Sequence, residues 1–181
     1  MFQRILPTSF TSHLKSIQDN KLVQLLLQAA AIATFLCVLV FNSAAAQAEI
    51  NTNKKGLALK GYDPVAYFTL KDAVKGDASI STVHAGATYH FASDEHRKLF
   101  KKTPEKYLPQ YNGFCAYGVT KNRKFDIDPK AWEVVNGKLY LNLNKRVRKI
   151  WNKDQANFIT EADSNWLKIE NISDKELAKD W

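Results

Sequence analysis

"ISTVHAGATYHFASDEHRKLF", residues 80–100, decides the fold class. Two short runs of β-prone residues flank Ala85-Gly86, and Gly86 is free to take the positive φ that a two-residue hairpin turn requires. The strands so formed pair Ile80 with Phe91, Ser81 with His90, Thr82 with Tyr89 and His84 with Ala87. In that register Ala87, Tyr89 and Phe91 share one face with Ile80, Thr82 and His84, while Thr88 and His90 point the other way. At Ser93 the periodicity changes. A serine is a good N-cap, and Asp94 and Glu95 follow in the first turn, where the helix dipole favours negative charge. His96, Leu99, Phe100 and Thr103 then fall at i, i+3, i+4 and i+7, so His96 lies on an apolar stripe. A hairpin running into a packed helix predicts an α+β fold: a small antiparallel sheet with short packing helices.

Working outward, "KKGLALKGYDPVAYFTL" (54–70) reads as an opening strand, a turn at Asp63-Pro64 and a second strand. On the other side, Thr103 and Pro104 cap and open a short helical packet that ends at Pro109. In "YNGFCAYGV" (111–119), Gly113 and Gly118 bracket Cys115. "WEVVNGKLYLNL" (132–143) is the strongest local signal, because Asn136-Gly137 between two apolar runs demands a type I′ hairpin. Trp132, Val134, Leu139, Leu141 and Leu143 would share its buried face. "NKRVRKIW" (144–151) reads as a helix with a solvated basic face. In "DQANFITEADSNWLKI" (154–169), Phe158, Ile159, Ala162, Trp166 and Ile169 form one stripe, giving a helical C-terminal extension. No internal repeat, low-complexity segment or second domain is read.

The front of the chain has another character. Arg4, Lys15 and Lys21 precede an apolar run at 22–41, and Ala46-Gln47-Ala48 supplies a small-x-small site. Gln24 and Gln28 leave only 29–41 uninterrupted, a length that suits a signal peptide better than a membrane span. The expected organisation is a signal peptide at 1–48 and a domain at 49–181, exported to a periplasmic or extracellular location, with no membrane span after cleavage. Without residues 1–48 the net charge falls from +8 to +6. Outside the cytoplasm that excess points to solubility or to attraction for anionic surfaces, not to nucleic acid. Cys37 leaves with the signal, so Cys115 has no intrachain disulfide partner and is buried, liganded or paired with another molecule.

The stretches "GYDPVAYF", "YHFASDEHRKLFKKTPEKY" and "YNGFCAYGV" together resemble the YHS-domain family, specifically its small exported members, over residues 61–117. The resemblance implies a compact α+β fold. Some YHS domains attached to metal-transporting ATPases carry Asp-Pro-Val-Cys and Phe-Cys-Ser-x-x-Cys stretches that look like ligand sets. Here Asp63, Pro64, Val65 and Ser93 match, whereas the cysteines fall on Ala66, Ala92 and His96. The soft ligands are therefore missing.

The remaining donors are three histidines, His84, His90 and His96, with Cys115 and Asp63. Imidazole, thiolate and carboxylate suffice for copper or zinc, so Cys115, His90, His96 and Asp63 form the candidate metal set. No Cys-x-x-Cys, glycine-rich phosphate loop, carboxylate pair or Ser-His-Asp cue is read, and no catalytic residue is assigned. The expectation is a non-catalytic binding protein for a transition metal or small ligand near Cys115. The alternative is a structural or interaction module in which that thiol is an inert, buried filler.

Overall fold

The computed structural model describes residues 48–180, so the expected signal segment, except for Ala48, lies outside the described residues. The fold is α+β. A one-turn helix α1 (Ala66–Thr69) leads into a hairpin of β1 (Asp77–His84) and β2 (Ala87–Phe91), followed by α2 (Asp94–Lys102) and the stub α3 (Pro104–Tyr107). Then come α4 (Ala116–Thr120), a second hairpin of β3 (Asp128–Val135) and β4 (Lys138–Asn142), α5 (Lys145–Trp151), α6 (Gln155–Ile169) and α7 (Asp174–Leu177). Each hairpin is a separate two-stranded antiparallel sheet. Among the described residues no helix is long and apolar enough to cross a membrane.

These elements are one structural unit built twice, which the sequence reading did not anticipate. The hairpins and their following helices begin 51 positions apart throughout: Asp77 and Asp128, Ala87 and Lys138, Asp94 and Lys145, Pro104 and Gln155. Both hairpins turn through left-handed pairs, Ala85-Gly86 and Asn136-Gly137. Both carry the same register irregularity, between Asp77 and Ser81 and between Asp128 and Trp132. Ser93 and Asn144 cap the next helices by accepting the N–H groups of His96 and Val147. Each unit opens with a left-handed turn ending in glycine, Leu59-Lys60-Gly61 in one and Tyr111-Asn112-Gly113 in the other. Parallel bridges complete the match, Leu57 to Thr88 and Pro109 to Leu139. Asp77, Val83, Gly86, Tyr89, Arg97, Lys98 and Lys102 recur at this spacing as Asp128, Val134, Gly137, Tyr140, Arg148, Lys149 and Lys153, while Phe100 is answered by Trp151.

The repeat also explains where the structure departs from expectation. Ile80 does not face Phe91, because Asp77 does so instead. The Asp77 carboxylate accepts from the Ser79 N–H at 2.8 Å and its hydroxyl at 2.7 Å, folding the first residues of β1 out of the ladder. Residues 66–69 form a helical turn and not a second strand, because Asp63 Oδ1 accepts the N–H groups of Val65 and Ala66. The opening strand reduces to isolated bridges. Leu143, expected inside, is 39% exposed just beyond β4, and Thr103 leaves the α2 stripe for solvent. The expected stripe of α6 is present, with Ala162 and Ile169 buried and Phe158, Ile159 and Trp166 half-buried.

The core has two parts. Tyr67, Tyr89, Phe91, Phe100, Cys115, Leu139 and Leu141 belong to one, and Tyr111, Ala116, Val119, Tyr140, Trp151, Ala162 and Ile169 to the other. Residues 49–51 close over the second left-handed turn. The Asn51 N–H donates to Asn112 O at 3.0 Å and its Nδ2 to Gly113 O at 2.9 Å, while Asn112 Nδ2 donates to Glu49 O at 3.1 Å.

One close approach fixes how the first hairpin seats. A Cβ on Gly76 would stand 2.5 Å from the His90 carbonyl carbon and 2.7 Å from its oxygen, both backbone atoms that cannot rotate away. Gly76→Ala is expected to cost about 3 kcal/mol, at the upper end of ordinary overpacking. Urea unfolding would show this as a lowered midpoint at unchanged slope.

Candidate functional site

The Asp63 carboxylate has no exposed surface, and four donors converge on it. Oδ1 accepts the N–H groups of Val65 at 2.8 Å and Ala66 at 3.4 Å; Oδ2 accepts the Ala92 N–H at 2.8 Å and lies 2.6 Å from His96 Nδ1. The local sequence dictates this. Asp-Pro starts a turn, and the aspartate side chain satisfies the N–H groups that the turn exposes. Ser93 starts α2 so that His96, on its buried side, swings back onto the same carboxylate. On the far side of the ring, His96 Nε2 lies 3.1 Å from the Thr69 hydroxyl, which is exposed and also lies 3.1 Å from the Val65 carbonyl.

Carboxylate, imidazole and hydroxyl in this order have the connectivity of an activated nucleophile. Thr69 closes the C-terminal end of α1, where carbonyls and not N–H groups are free, so no oxyanion hole faces it. One hydroxyl proton must also serve either His96 or Val65. The arrangement clamps the turn at Pro64, α1, the end of β2 and α2 together.

Cys115 occupies the matching place in the second unit. Asp63 N–H donates to Val74 O, and Cys115 N–H donates to Phe125 O. Asp63 accepts from Ala92 N–H just beyond β2, and Cys115 Sγ accepts from Leu143 N–H, at 3.2 Å, just beyond β4. Sγ also accepts from Gly118 N–H at 3.4 Å, capping α4. Asn142 Oδ1 stands 4.0 Å from the thiol and accepts the Tyr117 N–H. Cys115 is 1% exposed, and burial pushes its thiol above the ordinary value despite the N–H groups that favour the thiolate.

The candidate metal donors are thus divided. Asp63 and His96 meet. His90 lies across the hairpin from Ser81, its ring nitrogen close to Gly61, and His84 packs edge-on against Phe100. Cys115 contacts none of these groups by the hydrogen bonds it makes. Among the described residues no three His, Cys, Asp or Glu side chains gather as a metal site would require. Comparison with family models, with curated proteins and with solved structures finds no match.

Two participants escaped the sequence reading. Thr69 is 27 positions from His96, and no local pattern joins them. Asn142 is fully buried at the end of an alternating strand, where alternation alone does not flag it; its Nδ2 has no partner.

Because Asp63 is an acceptor to every neighbour, an amide in its place must turn a donor toward another donor. Asp63→Asn is expected to lower stability by about 3 kcal/mol, within the range for breaking a buried polar pair. Denaturant unfolding followed by far-ultraviolet circular dichroism measures it.

Proposed function

We propose that this chain is an exported, YHS-like, non-catalytic binding module whose ligand is a small molecule and in which Cys115 serves the fold. The observation that carries the proposal is the equivalence of Cys115 and Asp63. Cys115 Sγ takes the N–H groups of Gly118 and Leu143 in the position where the other unit uses a carboxylate. A reactive cysteine needs exposure and a lowered pKa. This one is sealed, and burial raises it. A copper or zinc site centred on the thiol would have to displace two backbone donors and find further ligands.

The test reads each cysteine separately, by alkylation of the full chain followed by peptide mass mapping. Cys115 is expected to stay unmodified until the domain unfolds, and Cys115→Ser to keep the fold at a cost of about 1 kcal/mol, the worth of a helix cap. Purified protein with the thiol modified at the rate of a free cysteine, or zinc or copper that disappears in the serine variant, would overturn the reading.

A second expectation concerns pH. Unfolded, the thiol ionises near pH 8.5; folded, it holds its proton to higher pH. Its contribution to stability is therefore complete below about pH 8.5 and is lost as pH rises through the folded value. Buried Tyr89, pushed up to about 12, extends the decline into the tyrosine range. Urea midpoints should fall above about pH 8.5, and in Cys115→Ser the onset should move toward pH 10.

A further inference from the structure

The segment beyond the repeat supplies one wall of a cleft against residues 123–125. Arg123, Lys124 and Phe125 form one wall, and Asp174, Lys175, Leu177 and Ala178 the other, around a volume of about 490 Å³. That is within the range of small-molecule sites. The first wall is rigid. Arg123 N–H donates to Gly118 O, and Phe125 O accepts from Cys115 N–H. Lys124 Nζ donates to the carbonyls of Glu170, at 3.0 Å, and Ile172, at 2.6 Å, while it lies over the rings of Phe114 and Trp166. Arg123 Nη1 donates to Leu177 O, tying the two walls together.

Phe125 is the telling residue. Its side of the cleft leaves it 42% exposed, beside the apolar Leu177 and Ala178. Yet its ring is not loose, because it packs where a Cβ on Gly118 would come within 2.8 Å of it. A glycine inside a five-residue helix is held there to seat an aromatic ring at the surface. Around the apolar floor of Phe125, Leu177 and Ala178 stand three cations and one carboxylate. Lys124 is committed to its carbonyls, and Glu49 lies 3.6 Å from it. Exposed Lys175 is the cation left to meet a ligand.

We propose that this cleft binds a small amphipathic carboxylate, its apolar body on Phe125 and Leu177 and its carboxylate at the Lys175 side. This names the ligand class of the binding module proposed above, and its outcome is independent of the thiol result. Because the wall is fixed before binding, little ordering is required of the protein, which favours a rigid or short ligand.

The full chain is titrated calorimetrically with octanoate, and in parallel with octan-1-ol and octylamine, which share the chain and differ in charge. Octanoate is expected to saturate at one per chain, with the alcohol and the amine weaker by about fivefold or more. Lys175→Glu should weaken octanoate by about five- to tenfold and leave octan-1-ol unchanged. Phe125→Ser should weaken both, with folding of each variant checked by circular dichroism and the Cys115 alkylation pattern. No saturable heat with octanoate, equal binding of all three ligands, or indifference to Lys175→Glu in a folded protein would overturn the proposal.

Discussion

Four donors aimed at one carboxylate hold the first half of this protein in shape. Asp63 joins the turn at Pro64, the first residues of α1, the exit of β2 and the buried side of α2. A carboxylate without exposed surface is costly unless each lone pair is used, and here the backbone supplies three of the four partners. Remove that acceptor and the hairpin keeps its ring packing on Phe100 of α2 but loses the polar joint that ties it to the turn at Pro64.

The second half solves the same joint with sulfur. Cys115 caps a short helix and accepts the N–H that leaves its hairpin, without a charge and without an imidazole, since the position matching His96 is Val147. The pair of solutions separates what the fold requires from what either unit adds. It requires an acceptor at the start of the short helix; a carboxylate or a thiol is sufficient. Gly113 continues a left-handed turn, Gly118 makes room for Phe125, and the thiol between them is bonded to its own backbone surroundings.

The secondary structure was legible wherever side chains act locally. Ser93 as cap, Asn136-Gly137 as turn and the α6 stripe all follow from neighbours in sequence. Asp63-Pro64 was legible as a turn, but the next element was misread, because aromatic and β-branched residues at 65–68 look like a strand until the side-chain cap is known. The expected register of the first hairpin holds at Ser81–His90, Thr82–Tyr89 and His84–Ala87 and departs only at Phe91, since Asp77, like Asp128, bonds to a residue two further on and displaces the start of the ladder. The repeat was hidden because its equivalences are geometric. Serine answers asparagine as a cap and aspartate answers cysteine, and the seven identities from Asp77 to Lys102 lie scattered among differing neighbours. Of the candidate site, the pairing of Asp63 with His96 depends on how α2 lies against the first turn, which spacing in sequence does not reveal.

The left-handed turn at Tyr111 and Asn112 has one more effect. Tyr111, an L residue held at φ +55°, carries strain of about 1–2 kcal/mol, and residues 49–51 hold it and Asn112 in place. The front of the domain therefore works as a splint. Of its three hydrogen bonds Asn51 makes two, so a chain that loses Glu49 alone keeps most of the brace, and one that loses Asn51 leaves the bend unsupported.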